Sequence, residues 1–274
     1  MRIVTLIEDT CGGNGCEAEH GLSFYIETAK HKLLVDCGAT DLLLRNAERL
    51  GVDLTQVDTV ILSHGHYDHA GGILPFAARN NRAAIYASER VGGAYYSLSG
   101  GAHFIGIDPR ILELEQLHPV SGEMQLDEEL FLFSGAMPTR YPAKANLKLQ
   151  ELVDGVLVQD RFLHEQYLVI AEGERRILLS GCAHCGILNI LDRDRELFGK
   201  HPDVVISGFH MVQAEGYTEA ERREIEAIAR ELKETGAEFY TGHCTGAEAG
   251  AILQSVMGQQ VHLLHSGMQW ELEA

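Results

Sequence analysis

Cationic side chains are scarce. The 274 residues carry 22 Lys and Arg against 40 Asp and Glu, for a formal net charge of −18. A surface this acidic repels phosphate backbones, so no nucleic-acid partner is expected. A small anionic substrate stays open, because a bound dication reverses the local field whatever the overall charge. Long apolar runs are also missing. None approaches the roughly 20 residues that cross a bilayer, so no membrane role is expected. The first residues, MRIVTLIEDT, lack the basic start, long apolar stretch and small-residue cleavage site of a secretory leader, and a cytoplasmic protein is expected. There the six cysteines, at 11, 16, 37, 182, 185 and 244, should be reduced. Cys182 and Cys185 form a C-x-x-C pair, but no second pair accompanies it, which argues against a four-cysteine zinc site. The chain also has no G-x-S-x-G elbow, no G-x-x-x-x-G-K phosphate loop and no G-x-G-x-x-G dinucleotide fingerprint. No short-period repeat, low-complexity tract or Pro-rich linker divides it.

What is present reads as an ordinary globular protein, 45% apolar and 23% charged. Hydrophobic patterning predicts strands at 2–7, 22–28, 32–36, 58–62 and 83–87, with a helix at 40–50 and another starting near His69. Residues 89–128 are rich in Gly, Ser and Tyr and are expected to form a lid-like insertion. Beyond it, strands are predicted at 130–134, 156–159, 166–171 and 175–180. A helix is predicted at 186–198, a strand at 203–206, an amphipathic helix at 218–235, a strand at 237–241, a helix at 246–257 and a strand at 260–264. Two strand runs, each passing into helix and strand alternation, predict two packed mixed sheets with helices outside, in a single domain over 1–274.

The chemistry concentrates in one stretch, Ser63-His64-Gly65-His66-Tyr67-Asp68-His69. Imidazole nitrogens and carboxylate oxygens are ligands for divalent metals. His64 and His66, two apart at an extended strand end, point the same way, while Asp68 and His69 lie on the turn beyond. Gly65, Gly71 and Gly72 are expected to let the backbone turn tightly there. One loop cannot complete two metal spheres, so further ligands are expected at other strand ends. His184, His210 and His243 each follow an apolar strand and a Gly. His20, His103 and His164 are candidate pocket residues. His31, His118, His201, His262 and His265 are read as structural. Cys11 and Cys16 are read as part of a flexible turn.

The H-x-H-x-D-H pattern over His64–His69 resembles the metallo-β-lactamase superfamily. More narrowly, the chain is similar to its dihydropterin-ribofuranosylaminobenzene-phosphate synthase-like subfamily. The stretches that carry this are 18–23 (AEHGLS), 34–38 (LVDCG), 63–69 (SHGHYDH), 180–186 (SGCAHCG) with Asn189, 207–210 (SGFH) and 242–246 (GHCTG). The resemblance covers nearly the whole chain and implies a four-layer αβ/βα sandwich. It implies one metal held by His64, His66 and His184, and a second by Asp68, His69 and His243. Many members place a bridging Asp, or a Cys, on the strand after the third histidine. Here His210 occupies that place by spacing, as an additional ligand or a substrate contact. Asp36 is expected to orient a ligand histidine from behind.

These expectations combine into a binuclear hydrolase. Two divalent ions, zinc first with iron or manganese as alternatives, would sit about 3.5–4 Å apart and activate a water on an ester, phosphoester or related bond of a small molecule. Asp68 would orient that water and accept its proton, and His210 would donate a proton or contact the oxyanion. Tyr95, Tyr96 and His103, with His20, would contact substrate. Three other readings stand beside it: an iron-dependent oxidoreductase, a synthase joining a pterin to an aminobenzene ribotide, and a non-catalytic metal-binding protein. A homodimer is the default expectation for a soluble enzyme.

Overall fold

The computed structural model describes residues 1–213 and 215–273. Its first sheet contains β1 (Arg2–Ile7), β2 (Ser23–Glu27), β3 (Lys32–Val35), β4 (Thr59–Leu62), β5 (Ala84–Ser88), β8 (Leu117–Val120) and β18 (Gln269–Glu271), in the order β18-β1-β2-β3-β4-β5-β8. A small sheet, β12-β11-β6-β7, is built from β6 (Tyr95–Ser97), β7 (His103–Phe104), β11 (Leu149–Val153) and β12 (Val156–Gln159). The second large sheet contains β9 (Met124–Gln125), β10 (Leu130–Ser134), β13 (Gln166–Glu172), β14 (Arg175–Leu179), β15 (Val204–Ile206), β16 (Glu238–Thr241) and β17 (Val261–Leu263), ordered β17-β16-β15-β14-β13-β10-β9. The helices are α1 (Leu42–Arg49), α2 (Tyr67–Ala70), α3 (Ile73–Ala77), α4 (Ile187–Phe198), α5 (Glu219–Glu234) and α6 (Ala247–Met257).

Strand alternation sorts the core into layers, because successive side chains of a strand point to opposite faces. In β4, Ile61 faces between the large sheets, while Val60 and Leu62 face the helices of the first sheet. In β14, Ile177 and Leu179 face inward and Leu178 faces outward; in β15, Val204 and Ile206 face inward and Val205 outward. The middle core thus joins the two sheets. One outer core packs α1 and α3, and the other packs α4, α5 and α6. This is the four-layer αβ/βα sandwich expected from the sequence.

Three differences from the expected elements concern segments with weak local signals. Strands β11 and β18 were not anticipated, since each is half exposed and stabilised by pairing rather than by its own pattern. The helix expected near His69 begins at Tyr67 and is a single short turn before α3. Within 89–128, β6 and β7 enter the small sheet, while β8 pairs parallel with β5 at the edge of the first large sheet.

Direction decides where the chemistry converges. Strands β3, β4 and β5 are parallel to one another, as are β14, β15 and β16. Two antiparallel steps through β2 make β1 run the same way as β3. The carboxyl ends of β1, β3 and β4 therefore lie along one edge, and those of β14, β15 and β16 along the corresponding edge of the second sheet. Open sheets bind ligands at such an edge.

Candidate metal centre

Each strand end carries part of the site. Glu8 and Asp9 follow β1, Asp36 follows β3, and residues 63–69 follow β4. Cys182 and His184 follow β14, His210 follows β15, and His243 follows β16. The turns are sharp. Asp36, Ala183, His210 and His243 all adopt positive φ, between 47° and 55°, which non-glycine residues rarely do. Such backbone persists where surrounding structure enforces it, and it concentrates at functional sites. Gly65 has a different role from the one expected. It does not have positive φ; instead, a Cβ there would lie 2.5 Å from the Val91 carbonyl oxygen and 2.8 Å from the Tyr95 ring. Glycine is needed for close approach, not for the turn.

The histidine rings are deeply buried. His64 and His69 are 0% exposed, His184 1%, and His66 and His243 5%. Four of them commit Nδ1 to an oxygen of the surrounding protein. His64 Nδ1 lies 2.8 Å from Ser63 Oγ, and that hydroxyl donates to Asp36 Oδ2 at 2.7 Å. His69 Nδ1 is 2.7 Å from the same Asp36 oxygen. His184 Nδ1 is 3.1 Å from Asn146 Oδ1, and His243 Nδ1 is 2.6 Å from Asp9 Oδ1. With Nδ1 carrying the proton, Nε2 is left as a free donor atom.

Those Nε2 atoms face one another. His64 Nε2 and His184 Nε2 are 3.4 Å apart. His66 Nε2 and His243 Nε2 are buried with no hydrogen-bond partner. The donor atoms of His64, His66 and His184 all fall within 4.8 Å of one another. On the other side, Asp68 Oδ2 is 3.4 Å from His243 Nε2 and 3.8 Å from His69 Nε2. Cys182 joins the two sets. Its Sγ is 3.2 Å from His69 Nε2, and it shares 4.8 Å groups with His64, with His184 and His210, and with His243 and Cys244. Orphaned buried nitrogens around a thiol and a carboxylate form a donor set that fits divalent metal.

Protonation divides the donor set. Burial opposes charge on His243, but Asp68 and Asp9 hold it well above the ordinary histidine range. Burial, then Cys244, raises the Cys182 thiol. A cation there would displace those protons, whereas His64, His66 and His184 are already neutral. Burial, then the neighbouring rings His69, His66 and His184, hold His64 well below the ordinary histidine range. Burial and His164 bring His66 down to about 3. Burial, then His210 and His66, do the same for His184, so these three rings are neutral near pH 7, as ligands must be. Burial alone would raise the Asp68 carboxyl, but His69 and His243 hold it well below the usual carboxylate range. Asp9 is held low in the same way by His20 and His243 against its own burial.

The expected ligands therefore come together, and Asp36 supports two of them at once. His210 stands beside the site with its ring 4.2 Å from that of His184, both ring nitrogens lacking partners. The donor common to both sets is Cys182, which the spacing argument had not assigned as a ligand. His20 lies at the rim, with Nδ1 2.9 Å from Asp9 and Nε2 3.4 Å from Asp68. A cavity of about 210 Å³ opens over the centre, lined by His20, Asp68, His103, His184, His210 and His243 among others.

Three expected pocket residues lie elsewhere. Tyr95 is buried, with its hydroxyl donating to the Arg90 carbonyl at 2.5 Å and its ring 4.0 Å from that of His164. Tyr96, the next residue in the strand, points to the opposite face, towards Phe104. His164 is a buried prop: its Nδ1 accepts from the Gly65 N–H at 2.9 Å, and its Nε2 is 3.2 Å from Asp160. Sequence reasoning also passed over Glu8, Asp9, Asn146 and Glu165. Glu8 accepts from the His243 N–H at 2.6 Å, and Glu165 from the His184 N–H at 2.7 Å. For Glu8 and Asp9 a signal was present, an acidic pair closing an apolar strand; Asn146 and Glu165 carry none. All six cysteines are free. Among the described residues, no helix is long and apolar enough to cross a membrane.

Comparison with known proteins follows the same lines. The family model of the metallo-beta-lactamase superfamily matches residues 17–99. A 7,8-dihydropterin-6-methyl-4-(beta-D-ribofuranosyl)-aminobenzene-5'-phosphate synthase from Methanocaldococcus jannaschii is 27% identical, over 97% of this chain and 95% of the relative. The uncharacterized protein MJ0448 of the same organism is 30% identical, over 85% of this chain and 86% of that protein. The crystal structure of a metal-dependent hydrolase of the beta-lactamase superfamily superposes with a TM-score of 0.85, at 29% identity and full coverage of both chains.

Proposed function

The chain belongs to the metallo-β-lactamase superfamily, and from that premise we propose that it is a binuclear metal-dependent hydrolase of an ester, phosphoester or related bond in a small molecule. The observation that carries this reading is the convergence of unpartnered histidine nitrogens and the Asp68 carboxylate beneath an open cavity. His64, His66 and His184 would hold one ion, and Asp68, His69 and His243 the other, with Cys182 as a further donor close to both sets. Zinc is the first expectation for this mixed nitrogen, oxygen and sulfur set, and iron the second. Bound there, such ions supply Lewis acidity and make a water acidic enough to ionise near neutral pH.

The protein's own groups do the rest. Asp68, kept ionised, offers an acceptor for the proton of an attacking water and is steadied by His20 and His243. His210 presents two free ring nitrogens on the cavity wall, where it contacts a developing oxyanion or protonates the leaving group. His103, which also lines this cavity, is a substrate contact. The Asp36, Asn146 and Asp9 carbonyl and carboxylate oxygens hold the ligand rings in one tautomer and one orientation, so little reorganisation remains for the reaction.

Elemental analysis of protein purified without added metal, read with its visible spectrum, is the primary test. About two equivalents of colourless zinc, with turnover of a nitrophenyl ester or phosphodiester, support the proposal. Iron with a visible band and no hydrolysis overturn it in favour of the oxidoreductase. A second reading rests on the relative whose name is a synthase and which matches across 97% of this chain. Condensation of a dihydropterin with a ribofuranosylaminobenzene phosphate, without net hydrolysis, would establish that reading instead.

A further inference from the structure

A second cavity, three times the size of the one over the metal centre, lies outside the proposed reaction. It has a volume of about 630 Å³ and shares no lining residue with the metal-site cavity. It opens between the 135–147 segment and the turn at 159–167 that leads into β13. Its surface is mostly apolar, with Phe162 buried in the wall and Met137, Leu147 and Leu163 exposed by 66%, 71% and 43%. Pockets that enclose organic ligands commonly run from roughly 300 to 1,000 Å³.

The polar groups on this cleft indicate what kind of ligand fits. Its buried carboxylates are already engaged. Asp160 accepts from the Phe162 N–H and meets His164, and Glu165 accepts from the backbone of His184 and Cys185 and from the Tyr167 hydroxyl. Arg90 differs. Its backbone N–H donates to Ser88 Oγ and its carbonyl accepts from Tyr95, but its exposed guanidinium has no partner among the described residues. Two other charged groups line the cleft: Arg161, which pairs with Glu151, and the exposed Glu89, which accepts from the Ser121 hydroxyl. In a chain of net charge −18, the Arg90 guanidinium is the cationic group left to meet an anion there. We infer that this cleft binds an amphiphilic organic anion, with its flat apolar body against Phe162 and Leu163 and its charged group at Arg90.

The cleft also meets the metal centre through shared structure. Asn146 lines it and holds His184 through Nδ1 and the carbonyl oxygen. Phe162 lines it and stacks on the His184 ring, with centroids 4.5 Å apart and planes 3° from parallel. An occupant would therefore rest on the two side chains that fix one ligand histidine.

The test uses the metal-loaded protein and two probes with the same aromatic body: 8-anilinonaphthalene-1-sulfonate, and its neutral counterpart N-phenyl-1-naphthylamine. The expected result is saturable, blue-shifted fluorescence with one sulfonate probe bound per chain. Leu163→Asp should weaken both probes by roughly tenfold or more, the effect of removing one well-packed side chain from a binding site. Arg90→Ala should weaken the sulfonate and leave the neutral probe unchanged. Val156→Asp, on an exposed strand outside the cleft, should leave both unchanged. Metal content should be that of the unmodified protein in all three variants, which separates this result from the fate of the hydrolase proposal. Non-saturable binding, or equal responses to Leu163→Asp and Val156→Asp, would overturn the inference. So would probe binding that falls as the protein self-associates through this face, because the occupant would then be a second copy.

Discussion

His66→Ala removes a ring that has no structural hydrogen bond at Nε2, only an orphaned nitrogen aimed at the centre. Its loss should abolish turnover and lower metal content while the protein stays folded; unchanged activity would sink the hydrolytic scheme. Asp9→Asn probes support from behind. It keeps an oxygen for His243 Nδ1 but removes the charge, so metal retention at the Asp68, His69 and His243 set should fall by roughly 10–100-fold in a chelator competition. Cys182→Ser tests the shared donor. Cobalt-substituted protein should lose its thiolate-to-metal absorption in this variant, and a spectrum identical to the unmodified protein would remove Cys182 from the site. At this scale the sequence was legible for His64, His66, Asp68 and His69, because all four sit in one seven-residue stretch. It was not legible for Asn146 or Glu165, whose neighbours in sequence are unremarkable and whose roles come entirely from the strands they are folded against.

Elements differ in how much of their stability is local. Helix α5 starts with a complete capping box: Thr218 accepts from the Glu221 N–H, and the Glu221 side chain accepts from the Thr218 N–H. Thr218→Ala should therefore cost about 1 kcal/mol in denaturant unfolding, with no change in metal content. Strand β14 depends instead on burial from both faces, with Leu178 at 0% exposure between the second sheet and its helices. Leu178→Ala should cost about 2–5 kcal/mol, since a cavity is left in addition to the lost transfer energy. The contrast explains which elements could be read in advance. Helices α4, α5 and α6 and the core strands carry strong periodic patterns. β11 and β18 are short and half exposed, so their pattern is weak; β18 is defined by pairing with the distant β1, and β11 by the neighbouring β12 together with the distant β6.

On the scale of the whole molecule, the two large sheets are also tied at a point far from the candidate metal centre. His31, in the turn between β2 and β3, lies with Nδ1 2.9 Å from Asp58 and Nε2 2.5 Å from Asp127, so one ring bridges the first sheet and the turn between β9 and β10. Burial opposes charge on this ring, but the two carboxylates outweigh it and raise its pKa. A raised folded-state pKa contributes stability that is fully present below the unfolded value of about 6.5 and is lost as pH rises through the folded value. Stability from this ring should therefore decline as pH rises above about 6.5. His31→Gln should flatten that part of the profile in chemical denaturation, and an unchanged slope would show that other groups set it.

The sequence by itself determined the layers and the first half of the site. Apolar alternation and helical periodicity are local properties, and four candidate donors within one strand end need no knowledge of distant segments. The tertiary structure decided what completes the centre. Parallel strands from two sheets end at a common edge, and this brings Asp9, Cys182 and His243 together across more than 230 positions of chain. It also decided which rings touch a cavity. Tyr95 and His164 looked like pocket residues by type, but the fold buried them behind the ligands, where close packing and hydrogen bonding left no path to the opening. A side chain's chemistry is written in its identity; its partners depend on which strand ends the sheets place side by side.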